Sequence, residues 1–438
     1  MEISPERRRE IIAALRKGTV PQRGLDFLAV GLQRFENVIA EELDDVARGG
    51  AIFKAVRGEY GCGKTFFSRW VQEYAKKKGF ATAEVQISET ETPLHRLETV
   101  YRRAMEQLST PDCFLGAFRS VIDGWFYGLE EDVLAEGQVD PKDEEALADR
   151  ADELLEQRLA EITRATPQFA SALRAYRTSQ RAGDHATAEG LAGWLAGQPH
   201  IASSAKRDAG IKGDVDHFAA LSFLRGLLLI LKDSGYSGLV LVLDEIETIQ
   251  RVRSDVREKG LNALRQLIDD IDAGRFPGLY LVITGTPAFY DGPQGIQRLE
   301  PLAQRLHVDF QTDARFDNPR AVQLRLTTFD HNRLIEVGTK VRELYAADCS
   351  APSRVRSLVN GEYIESLARS LTGKLGGKTG IAPRLFLKKL VSDVLDRVDQ
   401  YDDFDPRKDY QLTVTNSEMT NTEREAQAQS VDDIELDL

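Results

Sequence analysis

Two short stretches of this 438-residue sequence carry residue types whose spacing suits work on a nucleotide. In the first, VRGEYGCGKTFF, Gly58, Gly63, Lys64 and Thr65 fit the phosphate-binding pattern G-x-x-x-x-G-K-[ST]. Glycines let backbone N–H groups turn toward a polyphosphate, so Gly58, Glu59, Tyr60, Gly61, Cys62 and Gly63 form the expected cradle, with Phe66 following it. Lys64 would reach the β and γ phosphates, and the Thr65 hydroxyl would ligate Mg²⁺. Cys62 sits at a variable loop position, where a thiol is compatible with the turn and unnecessary for phosphate binding.

The second stretch, LVLVLDEIE, ends an apolar run with Asp244 and Glu245. A carboxylate at that point meets Mg²⁺ directly or through water, and Glu245 is placed to polarise a water for attack on the γ phosphate. The acidic pair argues for hydrolysis of ATP over binding alone. Glu247 reads as a surface residue or one lying behind the site.

Both stretches need strands to hold them. An apolar run, AIFKAVR, precedes the glycine loop, and Phe67, Trp70, Val71 and Tyr74 follow at helical spacing, which makes strand, loop and helix. ATAEVQIS is a second strand, residues 238–245 a third buried on both faces, residues 278–287 a fourth and residues 306–310 a fifth. Strands alternating with helices predict a parallel α/β sheet. The pattern is helical from about residue 109 to 235, too long for an ordinary crossover, and reads as a helical insertion. Within it Trp125, Phe126 and Trp194 read as core, with a binding platform as the alternative, and SAKRDAGIKG reads as solvated surface, with a phosphate-backbone contact as the alternative. Residues beyond DNPRA are helical to about Gln400.

Composition bounds the function. The net charge of −13 counts against a protein that coats nucleic acid by charge alone. The stretch from Thr413 holds seven acidic residues, one arginine and no aromatic, and is expected to be disordered. No apolar run reaches the roughly 18 residues of a membrane span. Three scattered cysteines give no disulfide framework, and with an N-terminus lacking a secretory signal they predict a cytoplasmic protein.

The glycine loop and acidic pair together resemble the AAA+ branch of P-loop ATPases, in the broad group that includes replication initiators. The resemblance implies an AAA+ core with a five-stranded parallel sheet, residues 51–108 and 236–315, after an N-terminal helical segment, 1–50. The helical insertion spans 109–235, a C-terminal helical lid 316–402, and an acidic tail expected to be disordered 403–438. It also implies a polar residue at the tip of the strand after the acidic pair, for which VITGTP offers Thr284 or, preferably, Thr286. An arginine finger is implied as well, with Arg298 and Arg305 available and Arg305 the better match, a surface salt bridge being the alternative. A second sensing arginine near a helix start corresponds to Arg384, after Pro383, and Val30 with Gly31 resemble the strip that packs on the adenine base, with burial of Val30 in ordinary core as the alternative.

A closer resemblance spans most of residues 15–400. GTVPQRGLDFLAVGLQRFE, VRGEYGCGKTFF, LVLVLDEIETI, VITGTPAFYDGPQGI, PLAQRL and GIAPRLFLKKLVSDVLD together are similar to the ATP-binding proteins of bacterial BREX phage-defence systems, of the BrxC/BrxD type and the shorter BrxD form in particular. That resemblance implies a role in defence against phage DNA alongside a methyltransferase and other BREX components, and the leading expectation is a Mg-ATP-dependent AAA+ switch or remodeller that forms homo-oligomers when ATP-bound and acts on DNA. A nucleotide-gated scaffold with negligible turnover and a replication-initiator-like DNA loader are the alternatives.

Overall fold

The computed structural model describes residues 3–137, 139–140, 142–374, 383–415 and 418. Most of the acidic stretch expected to be disordered therefore lies outside the described residues, as do residues 380–382 of GIAPRLFLKKL, but the start of the tail is ordered, with Leu412 buried in the helical core and Phe404, Tyr410 and Val414 packed against it.

A parallel sheet is built from β1 (Ile52–Arg57), β2 (Ala81–Gln86), β3 (Leu239–Asp244), β4 (Leu279–Gly285) and β5 (Gln323–Arg325), in the order β2-β3-β4-β1-β5. Every residue of β3 and β4 is buried, as continuous apolar runs covered on both faces require. The register sets Gln86 at the end of β2 opposite Asp244 at the end of β3. The fifth strand corrects the sequence reading, which put it at residues 306–310. Leu306 instead ends the helix Glu300–Arg305, its amide donating to Leu302 O at 3.1 Å. Phe310 turns its ring to guanidinium groups, Arg57 at 4.8 Å and Arg325 at 5.0 Å. The alternating apolar residues of LHVDF fill these separate places and form no ladder.

The chain divides into two units, and β1 runs from one into the other. One unit, residues 40–55 and 74–307, contains β2, β3, β4 and the helical insertion. Among its described residues the insertion is built of helices, including Phe118–Glu136, Pro167–Arg181, His185–Leu195 and His217–Asp233, after an isolated bridge from Ser109 to Thr82. Trp125, Phe126 and Trp194 are buried core, with Trp125 Nε1 donating to Asp233 at 2.5 Å and Trp194 Nε1 to Gly213 O at 3.1 Å. These partners satisfy the indole N–H groups that burial would otherwise orphan. In SAKRDAGIKG, Lys206 pairs with Asp214 at 3.0 Å.

The other unit, residues 1–39, 56–73 and 308–438, holds the glycine loop and a helical core. Its first helix, Pro5–Lys17, starts where the Ser4 hydroxyl accepts from Arg7 N and stops at left-handed Gly18, at φ 71°. Ile11, Ile12 and Leu15 pack with Leu334, Val341, Phe386 and Leu390 from the C-terminal helices. A bidentate pair from Arg16 to Asp396, at 2.6 and 2.8 Å, ties the same elements together, and the Tyr345 hydroxyl donates to Asp396 at 2.9 Å. The last helical run comprises Pro383–Lys388, a π-wound stretch Lys389–Leu395, and Asp396–Gln400.

Candidate nucleotide site

The glycine loop joins β1 to the helix Lys64–Lys77. Gly61 and Gly63 take φ of 79° and 97°, a region that L side chains disfavour. Gly58 is required for a different reason. A Cβ there would stand 2.3 Å from Cys62 Sγ and 3.1 Å from Leu326 O, so the buried thiol and a neighbouring carbonyl fill the space a side chain needs. Burial raises the Cys62 thiol above its usual range, partly offset by Lys64, and the residue acts as loop packing.

Lys64 is buried, with Nζ donating to Gly58 O at 2.9 Å and Glu59 O at 3.4 Å and lying 5.0 Å from the centre of the Tyr60 ring. The ammonium thus points back into the glycine loop. Thr65 occupies the first turn of the following helix, and Phe66 packs on the helical core. In the same unit, Val30 is buried in that core, while Gly31 is left-handed at φ 74° and faces the Arg333 guanidinium. Arg384 stands in the first turn of Pro383–Lys388, and its Nη2 donates to Glu418 O at 2.9 Å. Lys389 holds the Glu418 carboxylate at 2.7 Å.

In the other unit the acidic pair is a small network. Asp244 is buried at the end of β3 and accepts from the Thr284 hydroxyl. The Glu245 amide donates to Asp244 Oδ1 at 3.1 Å and to Thr284 Oγ1 at 3.3 Å. Those bonds accompany an unusual backbone, because Glu245 is left-handed at φ 59°. Such a conformation costs a side-chain-bearing residue about 1 kcal/mol and persists where the surroundings over-determine it. It turns the Glu245 side chain to Gln86, whose Nε2 donates to Oε2 at 2.9 Å.

The other acidic and threonine candidates separate cleanly. Glu247 is buried, so the surface reading of it is wrong. Thr286 is also buried, at the start of Pro287–Asp291, where its carbonyl accepts from Phe289 N at 2.9 Å. Of the two threonines in VITGTP, Thr284 is the one hydrogen-bonded to Asp244. Arg305 is held against Asp269 and, at 3.3 Å, Asp272, while exposed Arg298 donates to Gln294 at 3.0 Å.

Sequence reasoning missed Gln86 and Arg333. Gln86 had a readable signal, a polar residue at the tip of the strand ATAEVQIS, but its register against Asp244 appears only in the folded sheet.

The donor set suits Mg²⁺ at a nucleotide. Among the described residues no cluster of three or more His, Cys, Asp or Glu forms a self-contained metal cage. Mg²⁺ in phosphate-transfer sites uses one or two protein oxygens with phosphate and water, and the Thr65 hydroxyl and the Asp244 carboxylate are each oxygen donors of that kind. Among the described residues no helix is long and apolar enough to cross a membrane. A family model described as BREX system ATP-binding protein BrxC/D matches residues 3–414. No curated protein matches the chain.

Proposed function

The chain belongs to the family of BREX system ATP-binding proteins BrxC/D, and from that membership we propose that it is a Mg-ATP-dependent AAA+ ATPase, a nucleotide-driven switch or remodeller that works on DNA in a BREX defence complex. The observation that carries the hydrolytic reading is Glu245, kept left-handed beside Asp244 and bonded through its carboxylate to Gln86. A strand end used only for binding has no need of a strained acidic residue in this setting.

In this reading the loop amides and Lys64 receive the phosphates of ATP, Lys64 exchanging the Gly58 and Glu59 carbonyls for phosphate oxygens. Thr65 and Asp244 hold Mg²⁺, which neutralises charge gathering on the transferred phosphate. Thr284 fixes Asp244 through its hydroxyl, and Glu245 takes the proton of the attacking water. Arg384, from the helical lid, reaches the nucleotide after leaving the Glu418 carbonyl. Arg305 leaves Asp269 and Asp272 to complete the site of a neighbouring subunit, so that assembly and turnover are linked.

Light scattering with size-exclusion chromatography tests the switch. Glu245→Gln with Mg-ATP is expected to assemble into larger oligomers than the nucleotide-free chain, and an unchanged mass would sink this reading. DNA binding measured at several salt concentrations tests the target, since a flat response would mean no phosphate contacts.

A further inference from the structure

We propose that Arg333 is a nucleotide-contacting residue whose guanidinium stacks on the purine base. The proposal rests on the reading of the glycine loop as a nucleotide site.

A Cβ built on Gly31 would meet Arg333 Nε at 3.2 Å, Cζ at 3.3 Å and Nη2 at 3.5 Å. Three nearly equal distances mean that the flat face of the fork, not its edge, covers Gly31. The arginine is fixed there from two directions. Its Nη1 donates to Thr327 Oγ1 at 2.8 Å, and Asp330, which caps the same helix, lies 3.8 Å from Nε. Thr327 follows Leu326, whose amide donates to Arg57 O at 2.8 Å and whose carbonyl borders Gly58. A continuous path thus runs from the first glycine of the phosphate loop through Leu326 and Thr327 to Arg333 and Gly31.

Charge and hydrogen bonding at this place are unbalanced. Arg34 donates to Ala314 O and Arg325 O, and Arg325 is engaged by Asp317 and by the carbonyls of Phe310 and Thr312. Burial first, and then the positive charges of Arg333 and Arg325, hold the Arg34 guanidinium below its usual range. Among the described residues Arg333 Nε and Nη2 have no hydrogen-bond acceptor, and the side chain is 31% exposed. A planar cation with one face on a glycine and donors to spare suits the face and edge nitrogens of a purine.

Equilibrium binding of ATP, ADP and inorganic triphosphate to the full chain tests this, with Arg333→Ala, Arg333→Lys and Lys64→Ala beside the wild type. Loss of the stack is expected to weaken ATP and ADP alike in Arg333→Ala, by roughly tenfold, while triphosphate binding stays unchanged. Arg333→Lys, which keeps the charge and loses the plane, is expected to fall between. Equal ATP affinity in Arg333→Ala and wild type overturns the proposal, as does an equal loss of triphosphate. If the wild type binds no ATP, or Lys64→Ala binds as well as wild type, the nucleotide-site reading itself fails.

Discussion

The amide of Gln86 donates to the Glu245 carboxylate at 2.9 Å, from the strand end that stands in register with Asp244. A hydrogen bond to a carboxylate stabilises its charged form and fixes its direction, so Gln86 restrains the residue proposed to accept the proton of water. Replacing Gln86 by Leu is expected to raise basal ATP turnover by about threefold to tenfold, within the strength of a bond to a charged group. ATP affinity is expected to be unchanged. Steady-state phosphate release over a range of ATP concentrations reads both, and a change confined to KM would assign Gln86 to binding.

The left-handed backbone of Glu245 gives a stability signature. Glycine in place of alanine usually destabilises a folded position by about 0.5–1 kcal/mol. At position 245 the order is expected to reverse, with Glu245→Gly more stable than Glu245→Ala by about 1 kcal/mol and both inactive. Denaturant melts of the two variants measure the difference.

Gly58 and Cys62 compete for one volume, since a Cβ on Gly58 would lie 2.3 Å from the thiol sulfur. Gly58→Ala is therefore expected to abolish tight ATP binding. Cys62→Ala alone is expected to be mild, and adding it to Gly58→Ala is expected to recover much of the affinity, leaving the approaches to Leu326 O at 3.1 Å and Leu326 Cβ at 3.3 Å. A double-mutant cycle on ATP affinity reads the coupling.

Arg16, Tyr345 and Asp396 form the polar tie in the helical core, with Asp396 accepting from both partners. Asp396→Ala leaves the Tyr345 hydroxyl unpaired and is expected to cost about 1–3 kcal/mol, most of it from that hydroxyl because Arg16 is partly solvated. A thermal melt checks this, with Arg16→Ala expected to be milder than Asp396→Ala.

Four strands, the helical insertion and the helical C-terminal run were legible because long apolar runs and helical periodicity are local signals. The fifth strand was not. Gln323–Arg325 is only three residues long and its place depends on Leu326 meeting Arg57, a contact that no local pattern announces. The glycine loop and the acidic pair were readable as motifs, whereas the contacts of Thr284 and Gln86 depend on which strands lie side by side. Glu247 was left between the surface and a place behind the site for a similar reason, since whether a charged residue is buried depends on tertiary packing.

Phosphate release from Mg-ATP by the full chain and by Glu245→Gln, each with and without DNA, tests the central claim. Release by the wild type is expected, with a loss of at least about a hundredfold in Glu245→Gln and ATP binding retained. A wild type that binds ATP yet releases no phosphate under either condition, or a Glu245→Gln that turns over at the wild-type rate, would contradict it.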